Sequence, residues 1–435
     1  MAELRKRLYN QLCAVTAIDV HSHLAAGQLQ SARAADLLLY HMVRYPLRAA
    51  DVAEDILWKS EKLHHAGEVS QSVLDAWPAV RYTGFGIMAE RIFSEMYGVA
   101  EEPSASSWAR IEAAHAARSA QPGWGGALFA RYNLCRVLSS TDKTATVLNS
   151  NPRVVLQPTI ESSPLGTWRE YMPWADRLSL LEKRTGCKVC SAAAMRAAVK
   201  TFYDRFDFEK HPVLVAWVSA MIDFSPVSDT VIDVLLKAAS QGEALDSAQT
   251  TVLDAALLRM TCEAVNGRVA TVQLCYGCQF LSGGRPHPVQ RAGRFAATFA
   301  LLAAAFPGIH FNILNGYEPD EPLLCALTLG YANISLAGFW WHTFYPSVMH
   351  RALQRRLDMV PLSRLCGFFS DGWCAEWTCA RLDMTRQVLA GVLDERINAG
   401  LMDEQGALGV ARALLNETPA RLFPAEAGCR LRTED

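Results

Sequence analysis

The 435-residue chain reads as an α/β protein, a distorted (β/α)8 TIM barrel with a helical insertion after strand one and extra helices. Three observations carry that reading. Short apolar runs alternate with helical stretches, the pattern of parallel strands joined by crossover helices. The runs are apolar on both faces, as strands between a barrel core and an outer ring of helices must be. There are eight of them, which favours closure into a barrel over an open sheet.

In order, residues 1–15 form a short helix that feeds the first strand, Thr16–Val20. Residues 36–126 follow as a helical insertion at the carboxyl-end face, with apolar helical spacing in Ala35–Val43, Ala53–Leu63 and Ile87–Tyr97. Turn signals at Pro46, Gly84, Gly86, Pro103 and Pro122-Gly123 separate its segments. The remaining strands are Leu134–Ser140, Val154–Gln157, Val213–Val218, Ala270–Leu274, His310–Leu314, Ile334–Phe339 and Cys366–Ser370. Helical stretches Arg169–Phe206 and Val227–Asn266 exceed one crossover each and predict an additional helical layer. No internal repeat or low-complexity linker marks a boundary, so residues 1–435 read as one elaborated barrel domain.

Composition narrows the function classes. A chain 51% hydrophobic can bury a large core, and a formal net charge of −2 without like-charge runs argues against nucleic acid or an anionic membrane as partner. No apolar run suits a signal peptide or a membrane span, so a cytoplasmic location is expected. Two Cys-x-x-Cys pairs occur, Cys187/Cys190 and Cys275/Cys278, too far apart in the chain for a zinc ribbon. The thiols are expected to be small buried apolar groups in a reducing compartment.

The chemistry begins at Ala17-Ile18-Asp19-Val20-His21-Ser22-His23. Side chains two apart on a strand share a face, so His21 and His23 can converge on one point. Barrels hold their active sites at the carboxyl ends of the strands, and closure makes strands one and eight neighbours. Strand eight ends in Cys366-Gly367-Phe368-Phe369-Ser370-Asp371, which brings a carboxylate to the two imidazoles. Two histidines and an aspartate suit a divalent metal, zinc above others, with a fourth position for water or a substrate oxygen. The competing reading of Asp371 is an N-cap for the helix Ala375–Ala399.

Asp-x-His-x-His at strand one with an aspartate at strand eight resembles the amidohydrolase superfamily. Further islands resemble its uronate isomerase branch. They are Leu138–Asp142 at strand two, Val155–Thr159 at strand three, Gln273-Leu274 at strand five, Gly338–Trp341 at strand seven and Gly367–Asp371 at strand eight. Asn416-x-x-Pro419-Ala420-Arg421-Leu422-Phe423 resembles a closing motif of the superfamily, and Tyr40-His41 a pair that carries substrate chemistry. The resemblance implies a metal-dependent isomerase interconverting aldose and ketose forms of a uronic acid or related sugar. It implies a small sugar-acid-like substrate and a homo-oligomer. Asp371 and His41 are the expected catalytic pair, with His21, His23 and Asp371 on the metal.

The departures mark this branch as divergent. The resemblance expects a histidine after Gln273-Leu274 and an arginine soon afterwards, and the chain has Cys275 and Phe280. It expects an arginine just after Pro158-Thr159, where Ile160 and Glu161 stand, and Asp-Ser-Arg at strand eight, where Asp371-Gly372-Trp373 stands. Arginine forks are the natural grip for a carboxylate, so the substrate-reading groups are expected to be rewritten. Met42 replaces a tyrosine after His41. Trp340, Trp341, Cys275 and Arg285, in the loop after strand five, are the substrate-binding candidates; His342 lies just beyond the tryptophans. Cys275 is expected to be a neutral thiol and not a metal ligand. Glu376 reads either as a partner of the metal ligands or as a first-turn helix residue, and His64, His65, His115, His211 and His350 read as ordinary. The rival functions are a metal-dependent hydrolase or lyase of the same superfamily and a barrel that only binds.

Overall fold

The computed structural model describes residues 2–58, 68–140, 146–148, 154–161, 172–219, 221–280, 288–290 and 293–425. A helix, Ala2–Ala14, precedes the first strand, Ala17–Ser22, every residue of which is buried. Parallel pairing runs from it to Leu134–Ser139 and on to Val154–Pro158. A second parallel arc joins Ile160–Glu161, Val213–Trp217, Thr271–Tyr276, His310–Asn315 and Ile334–Leu336. The third strand is therefore broken. Its first part pairs with strand two and its second with strand four, which links the arcs.

Residues 365–371 close the circle without forming a regular ladder. Leu365 bridges Leu336 in parallel, Cys366 N donates to Leu336 O at 2.9 Å, and Asp371 N donates to His21 O at 2.9 Å. The reason lies in strand one, where the Asp19 carboxylate accepts from Ser370 N at 2.8 Å and occupies a donor that a ladder would use. The result is a distorted eight-stranded barrel, as the apolar runs predicted. Strand seven is also shorter than the sequence suggests. Arg356 Nη1 takes the carbonyls of Ala337, at 2.5 Å, and Gly338, at 3.2 Å.

Helices fill the crossovers two at a time where the sequence stretches are long. Trp174–Thr185 and Ala192–Tyr203 separate strands three and four, and Asp229–Ser240 and Ser247–Val265 separate four and five. Ser191, Ser228 and Asp246 cap three of these with side-chain oxygens on backbone N–H groups. Between strands one and two the described residues are helical, including His41–Ala49, Gln71–Val80, Gly84–Arg91, Trp108–Ser119 and Trp124–Arg131. Pro46, expected to mark a turn, lies inside the first of these. Gly84 and Gly86 fall in a first helical turn, and a Cβ at Gly86 would collide with the Val80 carbonyl.

The carboxyl-terminal segment that contains the closing motif packs against the barrel strands. Gln157 Nε2 donates to Pro424 O at 2.8 Å, the Thr271 hydroxyl donates to Leu422 O, and Gly367 N donates to Leu414 O at 2.8 Å. The carboxyl end is left to the chemistry.

Candidate metal centre and active site

The alternation of His21 and His23 sends both imidazoles to one side of strand one, and Asp371 meets them from the eighth segment. Asp371 Oδ1 lies 3.5 Å from His21 Nε2 and 3.2 Å from His23 Nε2. The ligand atoms of the three fall within 4.8 Å of one another, and among the described residues they form the group able to share a metal ion. Two imidazole nitrogens and a carboxylate, all buried or nearly so, are the donor set of a catalytic divalent-metal site with a position to spare. The residues fit a metal.

Each ligand is held from behind. His23 Nδ1 pairs with Ser140 Oγ at 2.7 Å, which leaves Nε2 facing Asp371. Trp373 stacks on the His23 ring at 4.2 Å and 12°, and Phe369 meets His21 edge-on at 5.8 Å. Asp371 sits in left-handed backbone, φ +50°, a strained geometry for a non-glycine residue. It is kept there by its own bond to His21 O, by His23 N donating to Gly372 O at 2.8 Å, and by Tyr40 Oη donating to Asp371 O at 3.1 Å. Gly372 follows because a Cβ there would collide with Thr378 Oγ1.

Two further charges complete the seam. Asp19 is fully buried and accepts from Ser370 Oγ at 2.5 Å as well as from Ser370 N. Burial pushes its carboxyl up to about 7, against the pull of those hydrogen bonds. The buried Arg381 guanidinium donates to Ser370 O and lies 3.9 Å from Asp371 Oδ2. For Asp371, burial by itself would raise the pKa, but hydrogen bonds from His21 and His23 outweigh it and hold the carboxyl far below its ordinary value. A metal ligand must be ionised, and this shift favours the ionised form.

The N-cap reading of Asp371 fails. The following helix is Ala375–Asn398 and its N-cap is Cys374. Glu376, considered as a partner of the metal ligands, instead accepts from Ser31 N at 3.2 Å, Ser31 Oγ at 3.0 Å and Tyr97 Oη at 2.5 Å. It ties Ser31 and Tyr97 to the helix that follows the eighth segment. His115, read as ordinary, belongs to the same buried cluster through Ser31 Oγ at 2.8 Å.

His41 opens the helix His41–Ala49 and is buried. Its ring lies 5.2 Å from Trp341 and 6.5 Å from Trp373, the ring that stacks on His23. Trp340 and Trp341 are 1% and 3% exposed, with Trp217 packed edge-on against Trp340 at 4.6 Å. Cys275 is buried next to the end of strand five and is not one of the three clustered ligands. His342 is half-buried just past the tryptophans. Arg285, His64 and His65 lie outside the described residues. Ser140, Asp19 and Arg381 were not singled out as supports from the sequence. Only Ser140 and Asp19 stood in quoted motifs, and nothing in the pattern around Arg381 marks it.

No family model matches the chain. A uronate isomerase from Cutibacterium acnes is 23% identical over 357 residues, covering 75% of this chain and 73% of that protein. The solved uronate isomerase of Thermotoga maritima aligns with a TM-score of 0.78 at 14% identity, over 97% of both chains. The glucuronate isomerase of Caulobacter crescentus gives 0.75 at 17% identity, over 97% of this chain and 93% of that one. The fold is shared with these solved structures across nearly the whole length, and the sequence likeness to a uronate isomerase spans three quarters of the chain at low identity.

Proposed function

We propose that the protein is a metal-dependent isomerase, similar to uronate isomerases, that interconverts the aldose and ketose forms of a sugar acid or close relative. The observation that carries the reading is the meeting of His21, His23 and Asp371 at the carboxyl ends of strands one and eight. Zinc is the metal we assign, on two nitrogens and one carboxylate. Bound there, the ion would act as a Lewis acid on the substrate carbonyl and its neighbouring hydroxyl. Asp371, ionised and gripped through its backbone, would take the proton from the hydroxyl-bearing carbon and return it to the adjoining one. His41 would exchange the hydroxyl proton, and Trp340, Trp341, Cys275 and Arg285 would shape the substrate side. Nine described cysteines, those other than Cys275 and Cys278, are free thiols, which fits a reducing, cytoplasmic setting. No described helix is long and apolar enough to cross a membrane. Self-association into a homo-oligomer is part of the reading.

The substrate is not a plain hexuronate. Ile160, Cys275 and Trp373 stand where the resemblance expects arginine or histidine, and Trp373 is spent on His23. The test is a screen of metal-loaded protein against uronic acids, aldonic acids and lactones. Isomerisation of a modified sugar acid is expected, with glucuronate and galacturonate turned over far below the usual value of about 10 per second. Hydrolysis of a lactone with no isomerisation of any acid would assign the rival function.

A further inference from the structure

The two crossover helices that flank strand six, Phe295–Ala305 and Glu321–Gly330, lie side by side on the outside of the barrel. Asn333, just past the second, ties it to the end of the first, donating from Nδ2 to Ala303 O at 3.0 Å and Phe306 O at 3.1 Å. The first helix contains no charged residue. The second contains one, Glu321, which is buried against Arg356. In a chain that is 20% charged, two neighbouring surface helices without one exposed charge are out of character.

What they turn to solvent is apolar. Ala297, Leu301 and Ala304 are exposed on the first helix, at the three- and four-residue spacing of one stripe, and Leu323, Ala326 and Leu329 on the second. Leu301, Leu323 and Leu329 are 45%, 41% and 60% exposed. A helix apolar on every side is ordinarily covered on every side, and an uncharged patch shared by two fixed helices marks an interaction surface.

Charge and shape identify the occupant. A partner of unlike sequence is selected largely through charge, and this face offers none to read. A helix that lies on lipid carries Lys or Arg beside its apolar stripe, and neither helix contains one. A second copy brings the same uncharged face, with leucines to insert and alanines to receive them, which is the self-complementarity a two-fold contact needs. Two helices about 16 Å long and about 10 Å apart offer less than the roughly 800 Å² per partner of a stable complex, so the contact is weak and concentration-dependent.

We propose that the helices Phe295–Ala305 and Glu321–Gly330 form a two-fold contact between two copies of this chain, with Leu301, Leu323 and Leu329 of each copy seated on the alanines of the other. The face lies outside strands five to seven. It gives self-association a surface and does not rest on the isomerase reading.

Sedimentation equilibrium of the full chain from about 1 to about 200 µM tests it. Wild type should pass from monomer to dimer with a micromolar Kd, unchanged between about 0.05 and about 0.5 M salt because no charge pair is there to be screened. Leu301→Glu and Leu329→Glu, checked for fold by circular dichroism, should each weaken the association about tenfold or more. Leu401→Glu, at a site 62% exposed in the turn after the helix Ala375–Asn398, should match wild type. If a glutamate variant does not fold, Leu301→Ser or Leu329→Ser takes its place. Phosphatidylcholine vesicles should not capture the chain. A wild type monomeric at every concentration would overturn the contact, as would a monomer that floats with the vesicles. Association that salt abolishes, that neither variant weakens, or that Leu401→Glu weakens equally would overturn it too.

Discussion

The seam between strands one and eight and the arc of strands five to seven use buried polar groups in opposite ways. At the seam they are ionisable: Asp19, Asp371 and Arg381 interlock through Ser370 and the two histidines. Along the arc they are neutral and bond to one another. Gln273 Nε2 reaches across the barrel to Val20 O at 2.8 Å, and Asn312 Nδ2 donates to Ser335 Oγ at 2.8 Å. The charges packed behind the arc, Glu321 and Arg356, pair at 2.5 Å and hold the backbone that leads to Trp340. The seam is thus organised around a charge still to come, while the arc is organised for shape. Cys275, a departure from the resemblance, lies in the arc, where a changed side chain alters fit without unbalancing charge.

That contrast can be broken by experiment. The largest effect expected in the arc is Glu321→Gln, which leaves Arg356 buried beside a neutral amide. Urea denaturation should show a loss of about 3–5 kcal/mol, and a loss within experimental error would mean the pair does not hold strand seven. Next is His310, on strand six, hydrogen-bonded to Ser335 Oγ at 2.8 Å. Burial, helped by Arg364 and Arg421, lowers its pKa from 6.5 to about 4. The unfolded chain takes up a proton near 6.5 while the folded one resists until about 4, so stability falls as pH drops through that window. The fall attributable to this residue is up to about 3 kcal/mol. It should be missing from His310→Gln when metal-free proteins are compared, and identical pH profiles would contradict the assignment. Smaller effects separate seam from arc directly. Ser140→Ala should weaken metal affinity about tenfold through loss of the His23 Nδ1 partner. Cys275→Ser should leave metal affinity unchanged in the same titration and alter only substrate preference.

The barrel was legible because its signal is local. Strand six was read as His310–Leu314 and is found as His310–Asn315, since apolar runs bounded by polar residues need no distant partner to identify them. Strands seven and eight were read too long for a non-local reason: Arg356 and the Asp19 carboxylate take backbone groups that a ladder would use. The His-x-His pair was legible from the two-residue period, and Asp371 from closure. Ser140 and Arg381 were not, because their roles arise from contacts across the fold that no spacing encodes. Of the two readings of Glu376, the first-turn helix residue holds and the partner of the metal ligands does not. It lies close to Asp371 in sequence, yet the helix turns its carboxylate toward Ser31 and Tyr97.

The central claim is that the seam holds a metal, and elemental analysis of purified protein tests it most directly. Wild type should carry about one equivalent of a divalent ion, with zinc expected. His21→Ala and Asp371→Ala, each confirmed folded by circular dichroism, should lose nearly all of it, while Cys275→Ser keeps it. Full occupancy in both seam variants would contradict the account.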